Sequence, residues 1–151
     1  MKLTKIELQE KDYPKALEIW EKSVIATHDF LKEKDRLEIK AEIPTYFKFV
    51  EADLWFNAYE AIGFSGTNEK NLEMLFIDPK YFQIGYGTEI LQYLIQENKV
   101  QYVDVNKDNY NAVNFYIKNG FKKYKESQKD QQGRDYPIFI SNCKDNLMIW
   151  F

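Results

Sequence analysis

Cysteine and histidine are almost missing from this chain: Cys143 and His28 are the single examples of each. One cysteine excludes an internal disulfide and a thiolate zinc cage, because both need partners. One histidine excludes a multi-histidine metal centre, so no metal is expected. Proline is sparse and stands singly at 14, 44, 79 and 137. There is no repeat, no low-complexity run and no Pro/Gly/Ser linker where a domain boundary would fall. An excess of one charge is also missing, with 21 basic against 24 acidic residues and a net charge of −3. That excludes the strongly basic footprint of a nucleic-acid binder. No stretch approaches the ~18 uncharged apolar residues of a membrane span. The opening MKLTKIELQEKDY holds no apolar core of a secretory leader. These absences predict a cytoplasmic, reduced, single domain spanning 1–151, large enough for one core. What is abundant is rings, with 11 Tyr, 11 Phe and 3 Trp. They predict an aromatic core and a flat cleft suited to a long ligand.

Alternation in KLTKIEL predicts a strand over 2–8. Asp12 offers an N-cap, Pro14 suits a first turn, and Ala16, Leu17, Trp20 and Val24 recur at helical spacing. A weaker helical region covers 34–50, where Pro44 should interrupt or start an element. Strands follow at 53–58 and 60–66, with a turn at 67–71 and an apolar strand at 72–78 ended by Pro79. An amphipathic helix runs to about 98, a strand covers 100–105, a helix covers about 109–118, and Gly120 stops it in the left-handed conformation. FKKYKES, 136–141 and 146–151 supply further strands. The pattern is an α/β fold, a mixed twisted sheet with helices on its faces.

The loop between the apolar strand and its helix carries the first functional signal. Gly85 and Gly87 let main chain approach a ligand, and the amides of the first helical turn converge on one spot. Thr88 adds a hydroxyl. A pyrophosphate-bearing ligand fits such a nest, and so does a plain tight turn.

The second signal is the run Asn106, Asn109, Ala112, Phe115, Tyr116, Lys118, Gly120, Phe121 after the next strand. Together LFIDPKYFQIGYG and VNKDNYNAVNFYIKNGF resemble the GNAT family of acyl-CoA-dependent N-acyltransferases. IWEKSVIATHDFL, and Asp130, Gly133, Tyr136 and Pro137 near the end, are similar to a bacterial subgroup of that family. The resemblance implies a GNAT-like central sheet and acetyl-CoA as co-substrate. It implies direct attack of a primary amine, from a small molecule or a peptide, on the thioester. Nucleic acid and membrane are not implied partners; a monomer or a homodimer both fit.

It also implies roles. Tyr116 is the general acid for the leaving thiolate, since a phenol keeps its proton at neutral pH. Glu73 is the base for the amine. Main chain at Leu75, Phe76 and Ile77 polarises the carbonyl and receives the pantetheine arm between two splayed strands. Gln83, Ile84, Gly85, Tyr86, Gly87 and Thr88 cradle the pyrophosphate, while Asn106, Asn109 and Phe115 contact the arm. Trp20, His28 and Asp29 line the acceptor pocket. Each residue has a plainer reading beside this one. Tyr116 and Trp20 suit a core, Glu73 a solvated strand, Asn109 an N-cap, and His28 the end of a helix. Phe82 occupies the position where the family usually has Arg or Gln, so a side-chain contact to phosphate is missing unless Lys80 or Gln83 supplies it. Two rival functions remain at this level. One is a non-catalytic acyl-CoA-binding or partner-binding module of the same fold. The other is a dinucleotide site using Gly85, Gly87 and Asp104, against which Ile90 stands where a third glycine is needed.

Overall fold

The computed structural model describes residues 2–29, 31–127 and 138–143. The elements are β1 (Thr4–Glu7), α1 (Tyr13–Thr27), α2 (Glu33–Phe47), β2 (Glu51–Asn57), β3 (Glu60–Asn68), β4 (Asn71–Ile77), α3 (Tyr86–Glu97), β5 (Tyr102–Asn106), α4 (Tyr110–Lys118), β6 (Phe121–Ser127) and β7 (Ile138–Cys143). The strands form one mixed sheet in the order β1-β2-β3-β4-β5-β7-β6. Every pairing is antiparallel except β4 with β5. Parallel neighbours need a crossover, and α3 supplies it.

Two cores lie on the two faces of the sheet. On one face, α1 presents Ala16, Ile19, Trp20, Ser23 and Val24, a stripe at helical spacing. With Ile43 and Phe47 of α2 this stripe packs onto Leu54 and Phe64. On the other, Ile90, Leu91 and Leu94 of α3 and Tyr116 of α4 cover Ile62, Leu72, Val103 and Val105. Alternation along each strand divides its side chains between the two. Among the described residues no helix is long and apolar enough to cross a membrane.

The structure departs from the sequence expectations in several places. Pro44 neither starts nor interrupts a helix but lies inside the last turns of α2. The turns there are held by burial of Ile43 and Phe47, which offsets the missing N–H. Asp12 stands at the N-cap of α1 without capping it; its carboxylate accepts instead from the Gln9 N–H at 3.1 Å. β3 runs on to Asn68, so the turn expected over 67–71 shrinks to Glu69 and Lys70 between the paired Asn68 and Asn71. Glu69 takes φ 56° to close it. The strand expected at 136–141 falls at 138–143 and lies between β5 and β6. The strand expected at 146–151 and the element from Asp130 to Pro137 lie outside the described residues.

One irregularity shapes the site. Gly66 pairs with Met74 while Thr67 pairs with Leu72, so Glu73 is an extra residue with no partner on β3. Such a bulge bends and twists its strand.

Candidate active site

β4 and β5 begin as parallel neighbours and then part. Their ladder consists of Asn71 with Tyr102 and Leu72 with Val103. Beyond it β5 continues along β7, and β4 from Met74 to Ile77 keeps only β3. The bulge at Glu73 sits where the strands separate. The Asp78 N–H donates to the Ile62 carbonyl at 2.9 Å. Alternation of bonded and non-bonded pairs then gives Phe76 to Phe64, and turns the N–H and C=O groups of Leu75 and Ile77 away from β3, into the opening. Phe76 therefore has its main chain in the ladder and its ring stacked on Phe64, centroids 5.5 Å apart.

Just past β4 the chain makes a nest. Asp78 caps a short turn by accepting from the Lys80 N–H at 3.0 Å. Gln83 at φ 61° and Gly85 at φ 104° then reverse the chain into α3. Gly85 is the N-cap and has no side chain to satisfy the first-turn amides. The first bond of the helix is from Glu89 N–H to the Gly85 carbonyl. Among the described residues, no acceptor meets the main-chain N–H groups of residues 83–88. These orphan donors at a helix N-terminus are what an anionic diphosphate requires, so the residues present fit the group the loop was expected to hold. The nest is braced from beneath. Tyr86 is buried and its hydroxyl accepts from Asn57 Nδ2 at 2.8 Å. Gly87 leaves room for the Phe115 ring, which a Cβ there would meet at 3.4 Å. Thr88, Gln83 and Ile84 are exposed. Lys80 lies 3.4 Å from Glu60 in an exposed ion pair beside the loop.

Tyr116 approaches the site from α4. It is 6% exposed, and its ring packs edge-on against Phe115 and Phe121 at 5.0 and 5.5 Å. Among the described residues its hydroxyl has no hydrogen-bond partner. Burial pushes the phenol well above its ordinary range. Glu73 is half-buried and receives Asn71 Nδ2 at 2.5 Å. Burial raises its proton affinity, the Asn71 bond lowers it, and the charge of Asp104 raises it.

His28 and Asn109, assigned by sequence to different jobs, are neighbours. Asn109 caps α4 by accepting from the Ala112 N–H at 3.2 Å, and its Nδ2 lies 3.3 Å from His28 Nε2. Thr27 Oγ1 donates to the Ser23 carbonyl at 2.8 Å, so it accepts from His28 Nδ1 at 2.7 Å. That leaves Nε2 as acceptor for Asn109 and makes the imidazole neutral. Burial lowers the His28 pKa from 6.5 to about 4, against the opposing charge of Asp29. A histidine kept neutral contributes stability that is complete above the unfolded value and is lost as pH falls from 6.5 to about 4. We predict that the single imidazole signal in proton NMR titrates near the lower figure, and that thermal stability drops across that window. Titration at the ordinary value would break the chain from Asn109 to Ser23.

Asp29 lines a cavity of about 370 Å³ with Thr27, Asp108, Tyr110 and Asn111. It lies between the end of α1 and the start of α4, beside the His28–Asn109 contact. Trp20 is not among its lining residues; the ring is 4% exposed in the core under α1. Asn106 ends β5 and accepts from the Asp108 N–H at 2.9 Å. Asn57, Asp108, Tyr110 and Asn111 were not singled out by sequence, since only tertiary packing brings them to the site. Among the described residues no group of His, Cys, Asp and Glu side chains is arranged to hold a metal ion.

A sheet that opens between parallel strands, beside an amide-lined helix start, defines a site for a long ligand with an anionic end. The comparisons give that class a family. Residues 34–137 match the profile of the acetyltransferase (GNAT) domain. The chain is 34% identical over 127 residues to the peptidyl-lysine N-acetyltransferase YjaB of Salmonella typhimurium, covering 82% of this chain and 86% of that protein. It is 34% identical over 123 residues to YjaB of Escherichia coli, covering 80% and 82%. The solution structure of apo-form YjaB from Escherichia coli superposes with a TM-score of 0.86 at 27% identity, covering 94% of this chain and 97% of that one. The chain belongs to the GNAT acetyltransferase family. It is an acetyl-CoA-dependent N-acetyltransferase.

Proposed function

We propose that the protein transfers the acetyl group to a primary amine carried on a peptide, a lysine side chain being the fitting acceptor. The observation that carries this reading is the opening beyond Leu72 and Val103, flanked by the orphan amides of residues 83–88. The relatives named above are peptidyl-lysine N-acetyltransferases, and the cavity beside His28 has two carboxylates, Asp29 and Asp108, suited to a cationic side chain.

In this reading the loop amides hold the pyrophosphate, and the pantetheine arm pairs with Leu75 and Ile77 as an added strand. The outward N–H groups on β4 polarise the thioester carbonyl. Phe115, Asn106 and Asn109 border the arm. Glu73 lies on the α1 and α2 face of the sheet and Tyr116 on the other. A thioester in the opening therefore has a proton acceptor on one side and a donor on the other. The ammonium gives a proton to the Glu73 carboxylate, and the neutral amine forms the C–N bond as the C–S bond breaks. The departing thiolate takes the Tyr116 proton, and the second N–H proton, shed by the nitrogen as the amide forms, passes through solvent to the tyrosinate, so the phenol is restored and CoA leaves as the neutral thiol. The same reading makes the protein cytoplasmic, in keeping with its single cysteine, and a monomer or homodimer.

The test is release of free thiol from acetyl-CoA when lysine peptides and small amines are supplied in turn. Turnover on lysine peptides supports the proposal; turnover confined to small amines would replace the acceptor. Phe82→Arg should tighten CoA binding by roughly tenfold to a hundredfold, about 1.5–3 kcal/mol for a charged contact. Unchanged affinity in calorimetry would show that the phosphates do not approach that side chain.

A further inference from the structure

Asp104 has no part in the reading so far, and its position is set by the sheet. Leu72 and Val103, the last pair before the strands separate, both point into the core under α3 and α4. On β5 Asp104 lies between Val103 and Val105, both in that core, so it emerges on the other face; Glu73 follows Leu72 at the bulge, and the charge of Asp104 reaches it there. Strand neighbours lie about 4.8 Å apart before the divergence begins. Two acidic residues thus meet across the mouth of the opening, where opposed like charges are ordinarily unfavourable in a sheet. We propose that Asp104 is a positioning residue for amine deprotonation, acting from the neighbouring strand on Glu73. This rests on Glu73 being the base.

The physics is a charge effect across a partly desolvated gap. A carboxylate opposite Glu73 makes the Glu73 anion less comfortable and its protonated form more so. Burial acts in the same direction, and the Asn71 bond fixes the side chain while opposing it. The charge of Asp104 acts on Glu73, and Asn71 is the neutral group bonded to it. A base is most effective when its proton affinity approaches that of the working medium. An unperturbed glutamate would be too weak to take a proton from an alkylammonium efficiently. The bulge contributes by holding Glu73 at the separation point rather than in the ladder with β3.

The experiment compares wild type, Asp104→Asn, Asp104→Glu and Glu73→Gln. The kcat/KM profile against pH is measured with acetyl-CoA and a lysine peptide. In parallel, the carbon-13 signal of the Glu73 carboxyl is titrated in the ligand-free protein. Asp104→Asn, nearly isosteric, should move both the acidic limb and the Glu73 midpoint to lower pH and reduce the plateau rate. Asp104→Glu, which keeps the charge, should leave the limb near that of wild type. Glu73→Gln should remove the limb. A limb lost in Glu73→Gln but unmoved in Asp104→Asn overturns the role of Asp104 alone. A limb that survives in Glu73→Gln overturns Glu73 as base, and Asp104 with it.

Discussion

Tyr116→Phe is expected to lower kcat by about 10²–10⁴-fold, the usual worth of a positioned acid, while CoA affinity and melting temperature stay near wild type. The argument begins with packing. The substitution removes one oxygen and leaves the edge-on contacts with Phe115 and Phe121 intact. That oxygen is buried, and among the described residues it has no partner, so its removal relieves an unmet polar group rather than breaking a bond. Stability should hold or rise slightly. The phenol is also held above its ordinary range by burial, so its O–H is intact across neutral pH and can hydrogen-bond to the leaving sulfur. The basic limb of the pH profile should accordingly carry no tyrosine titration in its ordinary range. Equal losses in turnover and stability would make Tyr116 a packing residue, and unchanged turnover would mean that the thiolate leaves unaided.

Gly63→Ala is expected to be the most damaging small substitution in the sheet. Gly63 pairs with Ile77 at the end of β4. A Cβ built there would lie 2.6 Å from the Phe76 carbonyl oxygen and 2.8 Å from Ile77 Cδ1. The first of these atoms is main chain in the middle of the sheet and cannot swing aside. Overpacking of this kind costs about 1–3 kcal/mol, and for a chain of this size each kcal/mol lowers the melting point by about 2–4 °C. Relief requires β4 to shift, and β4 presents Leu75 and Ile77 to the opening. CoA affinity should therefore fall together with stability. A stable variant with unaltered affinity would show that the edge of β4 is not what the ligand meets.

Much of this was legible in the sequence. The stripe of α1, the apolar β4, the Gly85 nest and the Asn109-to-Phe121 block depend on local spacing, and local spacing survives folding. Gly120 takes the left-handed conformation that its position predicted, at φ 96°. What was not legible depends on tertiary context. Pro44 reads as a break in isolation, and only the burial of Ile43 and Phe47 keeps α2 intact around it. The bulge at Glu73 is a mismatch between two strands and has no signature in either alone. The same holds for His28 with Asn109 and for Asn57 with Tyr86, which lie far apart in sequence. Of the two readings open for Trp20 in sequence, acceptor pocket and core, its ring lies in the core under α1.

The central claim is that a CoA thioester enters between β4 and β5 with its diphosphate on the α3 nest. The direct measurement is a titration of the nitrogen-15-labelled protein with CoA, followed amide by amide. The account predicts that the largest shifts fall on residues 83–88 and on Leu75 and Ile77, with Asn109 and His28 responding beside them. An absence of shifts at millimolar CoA, or shifts confined to other surfaces, would contradict it.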